Sequence, residues 1–185
     1  MSRAGLGEGF EAVLAAARTG ADWAWARIYD DLAPAVLGYL RARGAPDPDD
    51  VVGEVFAQLV RDINRFEGDE AGFRSWVFVI AHHRMLDDLR KRGRRPEVLS
   101  APEDLRGARE PGSVEESAVG TQTEAELRAL ISTLTADQRD VLLMRVFGDL
   151  KVEEIAQALG KRAGAVKALQ RRGLETLRTR LVRVF

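Results

Sequence analysis

Four long polar side chains near the end of the sequence have the chemistry needed to read bases. Arg162, Lys167, Gln170 and Arg171 lie within ten residues of one another, on the outer face of a predicted helix. An Arg can make two hydrogen bonds to guanine, a Gln two to adenine, and a Lys reaches guanine or phosphate. The pattern indicates a helix that reads base edges in a DNA groove. It also fits a helical hairpin whose basic face is simply solvated.

The elements that position these side chains form a helix-turn-helix pattern. A short helix over Glu153–Leu159 is followed by Gly160, where a left-handed turn is expected, and then by a second helix from about Arg162. Ala156 is small where the two helices must approach closely. In this motif the second helix enters the major groove. The inner face of that helix is predicted to comprise Val166, Leu169, Gly173, Leu177 and Leu181.

Helical periodicity also dominates the rest of the chain, and no strand-like alternation occurs, so the fold is predicted to be all-α. Thr135 and Gln138 form a capping-box pattern that predicts the start of another helix. Near the N-terminus, Pro34 marks either a kink in a helix or the start of a new one. One broad buried face is predicted for a third helix, with apolar rows Val51, Val55, Leu59, Ile63 and Val52, Phe56, Val60.

Residues 96–121 differ in amino-acid composition from the segments on both sides. They are rich in Pro, Gly and acidic residues and have no sustained apolar period, which is typical of a flexible acidic linker. The predicted organisation is therefore two small helical domains, residues 1–95 and residues 122–185, joined by this linker.

The net charge of −1 conceals a strong segregation of charge. Residues 74–95 hold 7 Lys/Arg against 2 Asp/Glu, and residues 151–185 hold 9 against 3. Residues 1–73 hold 7 against 13, and residues 96–126 hold 2 against 8. Two compact basic segments in an otherwise acidic or neutral chain indicate a polyanionic partner, although solvated helix faces would give the same counts.

Composition excludes several classes of function. There are no cysteines, which removes disulfides, thiolate metal sites and cysteine nucleophiles, and the only two histidines are the adjacent His82 and His83. No phosphate-binding glycine loop or nucleophile motif occurs, so neither an enzyme nor a cofactor or metal is expected. No stretch approaches the roughly 20 apolar residues of a membrane span. We expect a cytoplasmic protein with no membrane insertion.

Three segments together resemble one family. LTADQRDVLLMRVFGDLKVEEIAQALGKRAGAVKALQRRGLETLRTRL resembles the fourth conserved region of bacterial sigma factors. DPDDVVGEVFAQL resembles their helix that binds core polymerase, and FRSWVFVIAHHRMLDDLRKRGRRP resembles their promoter-melting segment. The last two segments belong to the second conserved region, so the chain resembles sigma regions two and four joined by a short acidic linker. It is therefore identified as similar to the extracytoplasmic-function (ECF) sigma factors over about residues 10–183.

The resemblance implies a set of contacts with core RNA polymerase and promoter DNA. The loop 66–73 would hold a base flipped out of the minus-ten element. Core RNA polymerase would be bound by Asp50, Glu54 and Gln58. The minus-ten element would be contacted by Phe66, Arg74, His83, Arg84 and Arg90. The upstream (minus-thirty-five) element would be read by Arg162, Lys167, Gln170 and Arg171. The resemblance also implies an anti-sigma factor as a regulatory partner.

The chain departs from the family pattern at a few positions. His83 stands where Asn is usual, Lys151 replaces a capping Ser, and Leu169 and Gln170 exchange the usual polar and apolar characters. Two other readings stay open on the sequence alone. One is a stand-alone helix-turn-helix transcriptional regulator that binds duplex DNA without polymerase, and the other is a polymerase- or sigma-binding adaptor that does not touch DNA.

Overall fold

A computed structural model describes residues 6–93 and 126–182, and throughout these residues the regular structure is helical. The all-α prediction is thereby confirmed. The predicted linker, residues 96–121, lies outside the described residues. No helix in the described portion is long and apolar enough to cross a membrane. The helices in chain order are α1 (Phe10–Arg18), α2 (Asp22–Arg43), α3 (Pro48–Asp62), α4 (Glu70–Gly93), α5 (residues 126–132), α6 (Ala136–Gly148), α7 (Val152–Ala158) and α8 (Ala163–Leu181).

The long helix α2 runs through the middle of the molecule. Pro34 lies inside it, so the helix continues past this residue and no new helix starts there. Helix α2 ends at Gly44, which adopts a left-handed conformation (φ 84°) and donates its backbone N–H to the carbonyls at the end of the helix. Glycine takes this conformation without the penalty that a Cβ would incur, which explains the sharp turn into α3.

Helix α3 buries the predicted apolar face only in part. Val51, Val55 and Leu59 lie in the core as expected, whereas Val60 is 53% exposed, so the prediction for Val60 was wrong. Successive residues four apart rotate by about 40° around a helix. The row that begins with Val52 lies at the edge of the buried face, and this rotation carries its last member into solvent.

Helices α6, α7 and α8 form the second helical group. The predicted capping box is present, since the Thr135 hydroxyl accepts from the Gln138 backbone N–H and Gln138 Oε1 accepts from the Thr135 N–H. Gly160 adopts the expected left-handed conformation (φ 62°). Gly173 brings α8 close to α6, where a Cβ would lie 2.8 Å from Leu142. Leu181 is exposed, contrary to prediction. Helix α8 is about 29 Å long against about 20 Å for α6, so its last turn extends past the helix it packs on.

The two helical groups pack against each other through one continuous apolar core. Helix α2 packs along α6, and α4 contacts both α6 and α7. The approach is closest at Gly38 of α2, where a Cβ would overlap the ring of Phe147 of α6. Gly148, at the end of α6, lies less closely against Phe78 of α4, where a Cβ would be 3.3 Å from the ring. These contacts define the closed arrangement of the molecule.

Candidate nucleic-acid and polymerase interfaces

The second helix of the helix-turn-helix presents its basic residues to solvent. Arg162 precedes the first turn of α8, and its carbonyl accepts from the N–H groups of Ala165 and Val166. Arg162, Lys167 and Arg171 are exposed, while Gln170 is half-buried. The four predicted residues therefore lie on α8 or directly before it, and three of them are cations exposed to solvent.

The preceding helix α7 begins without a side-chain cap, as the sequence indicates for Lys151. Separately, the backbone N–H of Lys151 donates to Glu154 Oε2 at 2.6 Å. A carboxylate in the first turn also interacts favourably with the positive end of the helix. Glu154 thus compensates in part for the missing hydroxyl.

A crevice of about 710 Å³ lies beside the start of α4, and we call it the minus-ten crevice. The ring of Phe66 is nearly buried and stacks on Trp76, with centroids 5.3 Å apart and planes 21° apart. Phe73 is fully buried beneath them. Trp76 is half-buried and lines the crevice. The crevice therefore has an aromatic wall of a kind that suits a stacked base.

The predicted minus-ten residues on α4 divide into two groups. His83 and Arg90 are exposed and line one face of the helix, which we call the outer face of α4. Arg74 instead pairs with Asp31 of α2 at 2.8 Å, with both side chains mostly buried. Arg84 donates from Nε to Gln58 Oε1 at 2.9 Å. Arg74 and Arg84 thus fasten α4 to its neighbouring helices.

The predicted polymerase-binding residues lie together on α3. Asp50 and Glu54 are exposed, and Gln58 is half-buried. Arg84 of α4 lies beside this face, with Nη1 4.0 Å from Glu54 Oε2. The structure therefore associates Arg84 with the acidic face of α3 more closely than with the outer face of α4.

Helix α7 lies across the predicted minus-ten surface. Glu154 and Gln157 line the minus-ten crevice together with Trp76. The turn after α7 borders a second crevice of about 620 Å³, whose other wall contains His83 and Arg90. The helix-turn-helix thus borders the part of α4 that would contact DNA, while His83 and Arg90 themselves stay exposed, as do Asp50 and Glu54 on α3.

Sequence reasoning missed a buried polar group at the junction of the two halves, the junction cluster of Tyr39, Arg43, His82 and Asp140. Asp140 of α6 binds the Arg43 guanidinium through both carboxylate oxygens, with Oδ2 3.3 Å from Nη2. The Tyr39 hydroxyl is hydrogen-bonded to His82 Nδ1 at 2.9 Å, and this nitrogen lies 3.8 Å from Asp140 Oδ1. The sequence offers one signal for this cluster: its polar residues occur at the same helical spacing as the buried apolar residues around them.

Burial governs the ionisation of the junction cluster. Burial lowers the pKa of His82 below its ordinary value, and His83 and Arg43 add to this effect while Asp140 opposes it. Burial, with the Asp140 charge beside it, raises the pKa of Tyr39 far above its ordinary value. At neutral pH, His82 and Tyr39 are therefore uncharged, and the Arg43–Asp140 pair carries the charges of the cluster.

Comparison with known proteins identifies the family. Sequence models of Sigma-70 region 2 and of Sigma-70, region 4 match residues 28–95 and residues 124–177. The chain is 30% identical over 182 residues to the ECF RNA polymerase sigma factor SigD of Mycobacterium tuberculosis, covering 95% of this chain and 85% of SigD. The chain belongs to the ECF sigma factors. As such it binds bacterial core RNA polymerase and directs promoter-specific transcription initiation.

Further relatives agree with this assignment. The ECF sigma factor RpoE of Cereibacter sphaeroides is 32% identical over 158 residues, which cover 84% of each chain. The fold resembles that of CnrH, solved in complex with the cytosolic domain of CnrY, with a TM-score of 0.68 and 21% identity over 92% of this chain and 95% of that chain. Sigma factors are initiation factors and not an enzyme family.

Proposed function

We propose that this ECF sigma factor divides its work between residues 1–95, which bind core polymerase and melt the minus-ten element, and residues 122–185, which read the upstream element. Residues 96–121 link the two. The protein itself supplies no catalytic residue, and it acts in the cytoplasm with the polymerase. The observation that carries this proposal is the presence of an acidic face on α3, an aromatic crevice beside α4 and a basic face on α8 in a single chain.

The minus-ten crevice is proposed to capture a base that leaves the duplex. Unstacking a base costs a few kcal/mol, so a pocket that binds the extruded base stabilises the melted state. Phe66 and Trp76 form its aromatic wall. His83 and Arg90, on the outer face of α4, would contact the single-stranded backbone. Arg74 and Arg84 would contribute by fixing the position of α4.

The upstream element is proposed to be read by α8 in the major groove. Arg162, Lys167 and Arg171 are exposed and need no rearrangement to meet DNA. Gln170 is half-buried, which fits the exchanged polar and apolar characters of positions 169 and 170. Each good base contact contributes about 1–3 kcal/mol of discrimination.

The anti-sigma partner implied by the resemblance is part of this proposal. Members of the family are commonly held inactive by a dedicated anti-sigma factor. An inhibitor of this kind would need to cover either the acidic face of α3 or the outer face of α4. We expect it to compete with core polymerase or with promoter DNA accordingly.

Reconstituted transcription with purified core polymerase tests the proposed sites. Arg171→Ala should reduce transcription from promoters with an upstream element by about 5- to 150-fold, because one base contact contributes about 1–3 kcal/mol. It should leave core binding unchanged. Arg172→Ala is the matched control, since Arg172 lies beside Gln138 and Glu175, away from the proposed reading face.

The polymerase-binding face is tested in the same assay by Asp50→Lys. Reversing an exposed charge on α3 should weaken core binding and reduce transcription from every promoter equally. Glu175→Lys makes the same charge change on α8 and should leave core binding intact. Full core binding by Asp50→Lys, or undiminished promoter use by Arg171→Ala, contradicts the assigned sites. Tight duplex binding by the protein alone would favour the stand-alone regulator.

A further inference from the structure

A cavity of about 440 Å³ is lined by the end of α2, the turn into α3 and helices α5 and α6, and we call it the arginine pocket. Its volume falls within the range of about 300–1,000 Å³ that is common for small-molecule sites. Every charged residue that lines it is an arginine. These are Arg41 and Arg43 at the end of α2, Arg128 on α5 and Arg139 on α6. The pocket therefore has the size for a small molecule and the charge for an anion.

Protein carboxylates compensate the two α2 arginines to different extents. Asp140 binds the Arg43 guanidinium through both of its oxygens, and this pair is mostly buried. Among the described residues, Arg41 pairs with Asp49 alone, at 3.4 Å, and the two side chains are 55% and 73% exposed. Exposed pairs of this kind contribute little. Arg41 is therefore available to another anion.

Arg139 carries a charge that the described residues do not compensate. Both of its hydrogen bonds run from Nη2, to the backbone carbonyls of Ser132 and Leu134. Its Nε is buried and has no acceptor within residues 6–93 and 126–182, and no carboxylate of these residues forms an ion pair with it. The two carbonyls hold the guanidinium in place at the pocket. An anion bound there would supply the compensating charge that the fold leaves out.

The rest of the lining favours a ligand with more than one small anionic group. Guanidinium groups match phosphate oxygens through paired hydrogen bonds. A chain of phosphates places several negative charges in a small volume, which suits several guanidinium groups around one cavity. The pocket also has apolar, half-buried lining residues, which are Ala42, Ala45, Pro48 and Ile131. Such a surface suits the base or ribose of a nucleotide.

The position of the pocket argues against a nucleic-acid backbone as its occupant. Its arginines lie outside the two basic segments, residues 74–95 and residues 151–185. The exposed carboxylates of Asp49, Asp50 and Glu54 follow directly on α3. An extended polyanion that reached the pocket would be repelled by these carboxylates, whereas a compact anion can lie within the pocket.

We propose that the arginine pocket binds a small molecule that carries linked phosphate groups, either a nucleoside polyphosphate or pyrophosphate itself. Arg41 and Arg139 bind the phosphates, and Pro48 and Ile131 contact the nucleoside where one is present. None of the residues assigned to polymerase or to promoter DNA takes part, so the inference goes beyond the proposed function and does not depend on it. Because both helical groups line the pocket, the ligand contacts both and should raise the temperature of thermal unfolding.

Isothermal titration calorimetry of the full chain with ATP and with pyrophosphate tests the site directly. The buffer is free of Mg²⁺, and its ionic strength is matched with NaCl so that screening of charges stays constant. We expect saturable binding of one ligand per chain. Tighter binding of ATP supports a nucleotide site, and equal or tighter binding of pyrophosphate supports an inorganic one. Saturable binding of neither overturns the proposal.

Substitution of single arginines locates the binding site. Arg41→Gln and Arg139→Gln should each weaken binding by about 13- to 160-fold, because each removes a charge-assisted contact. Arg27→Gln is the matched control, since it removes the same charge from an exposed position on α2, about 21 Å along the helix from Arg41. Thermal unfolding without ligand shows whether each variant is folded. If Arg139→Gln is destabilised, Arg41→Gln decides, because Arg41 has only an exposed partner.

Asp49→Asn should have an effect of opposite sign. It removes the carboxylate that competes for Arg41, so binding should tighten by up to about 5-fold. Unchanged affinity in both arginine variants overturns the proposal, as does an equal loss in Arg27→Gln, which would indicate diffuse charge attraction. A labelled single-stranded 20-mer is titrated in parallel. Loss of its binding in Arg41→Gln, with ATP binding intact, would identify a nucleic-acid contact instead. Core polymerase does not enter this test, so its failure leaves the proposed function standing.

Discussion

At the scale of single residues, Asp140 has the most consequential environment in the molecule. Its carboxylate is 7% exposed, binds Arg43 and lies 3.8 Å from His82 Nδ1. Removing one partner of a buried ion pair typically costs about 3–5 kcal/mol, far more than any exposed pair contributes. The exposed pairs, such as Arg65–Asp62, are therefore expected to contribute little by comparison.

His82 makes the junction sensitive to acid. Its pKa is lowered in the closed arrangement, so the open molecule binds a proton more readily. Closure is therefore fully stable above the ordinary His value of 6.5 and weakens as the pH falls below it. The groups facing His82 are Tyr39 and Arg43 from α2, Asp140 from α6 and His83 on α4 itself. Helix α7 and its turn contribute only the uncharged Gln157, Ala158, Leu159 and Gly160 there.

Amide hydrogen exchange at pH 7.5 and pH 5.5, corrected for intrinsic rates, checks this prediction. Peptides from α4 and α7 should lose protection at the lower pH in the wild type. The variant His82→Asn should lose most of this difference, since it cannot gain a proton. Equal protection at both pH values, or greater protection in acid, would contradict the role given to His82.

At the scale of elements, the ends of the helices are explained by local chemistry. Thr135 and Gln138 cap α6 from both sides, whereas Lys151 leaves α7 with only the Glu154 half of such a cap. Thr135→Ala should lower the free energy of unfolding by about 1 kcal/mol, and Lys151→Ser should raise it by about 0.5–1 kcal/mol. Urea unfolding measures both. A shift of the same sign in the two variants would show that capping is not the dominant effect.

Most of the elements were predictable because helical periodicity and capping act over short stretches of chain. The prediction failed where an element's surroundings decide exposure. Val60 belongs to an apolar row yet is exposed at the edge of α3, and Leu181 lies beyond the end of the helix on which α8 packs. Likewise, Arg84 has the positive charge expected of a DNA contact, but its hydrogen bond to Gln58 places it beside α3. Periodicity identifies a face and cannot show which neighbour covers it.

At the scale of the whole molecule, the relation between the two halves depends on contacts between residues far apart in sequence. Arg43 and Asp140 are separated by 97 residues, and nothing local to either one indicates the other. The sequence likewise gives no indication that Phe147 packs against Gly38. The sequence therefore predicted two helical domains but left open whether they pack together.

The closed arrangement and the DNA-reading face should respond differently to salt. The junction cluster and its surrounding core are buried and thus poorly screened, whereas the cations of α8 are exposed. Raising NaCl from 50 to 200 mM should leave the radius of gyration unchanged. It should markedly weaken promoter binding by the complex with polymerase, since phosphate contacts release counterions. Expansion of the free protein over this range would indicate that exposed charges hold it closed.

Gel filtration of the purified protein with core RNA polymerase, followed by transcription of genomic fragments by the complex, distinguishes a sigma factor from a stand-alone regulator. We expect a stoichiometric complex and discrete transcription start sites that core polymerase alone does not use. No complex with core, together with tight binding of duplex DNA by the protein alone, would contradict it and identify a stand-alone regulator.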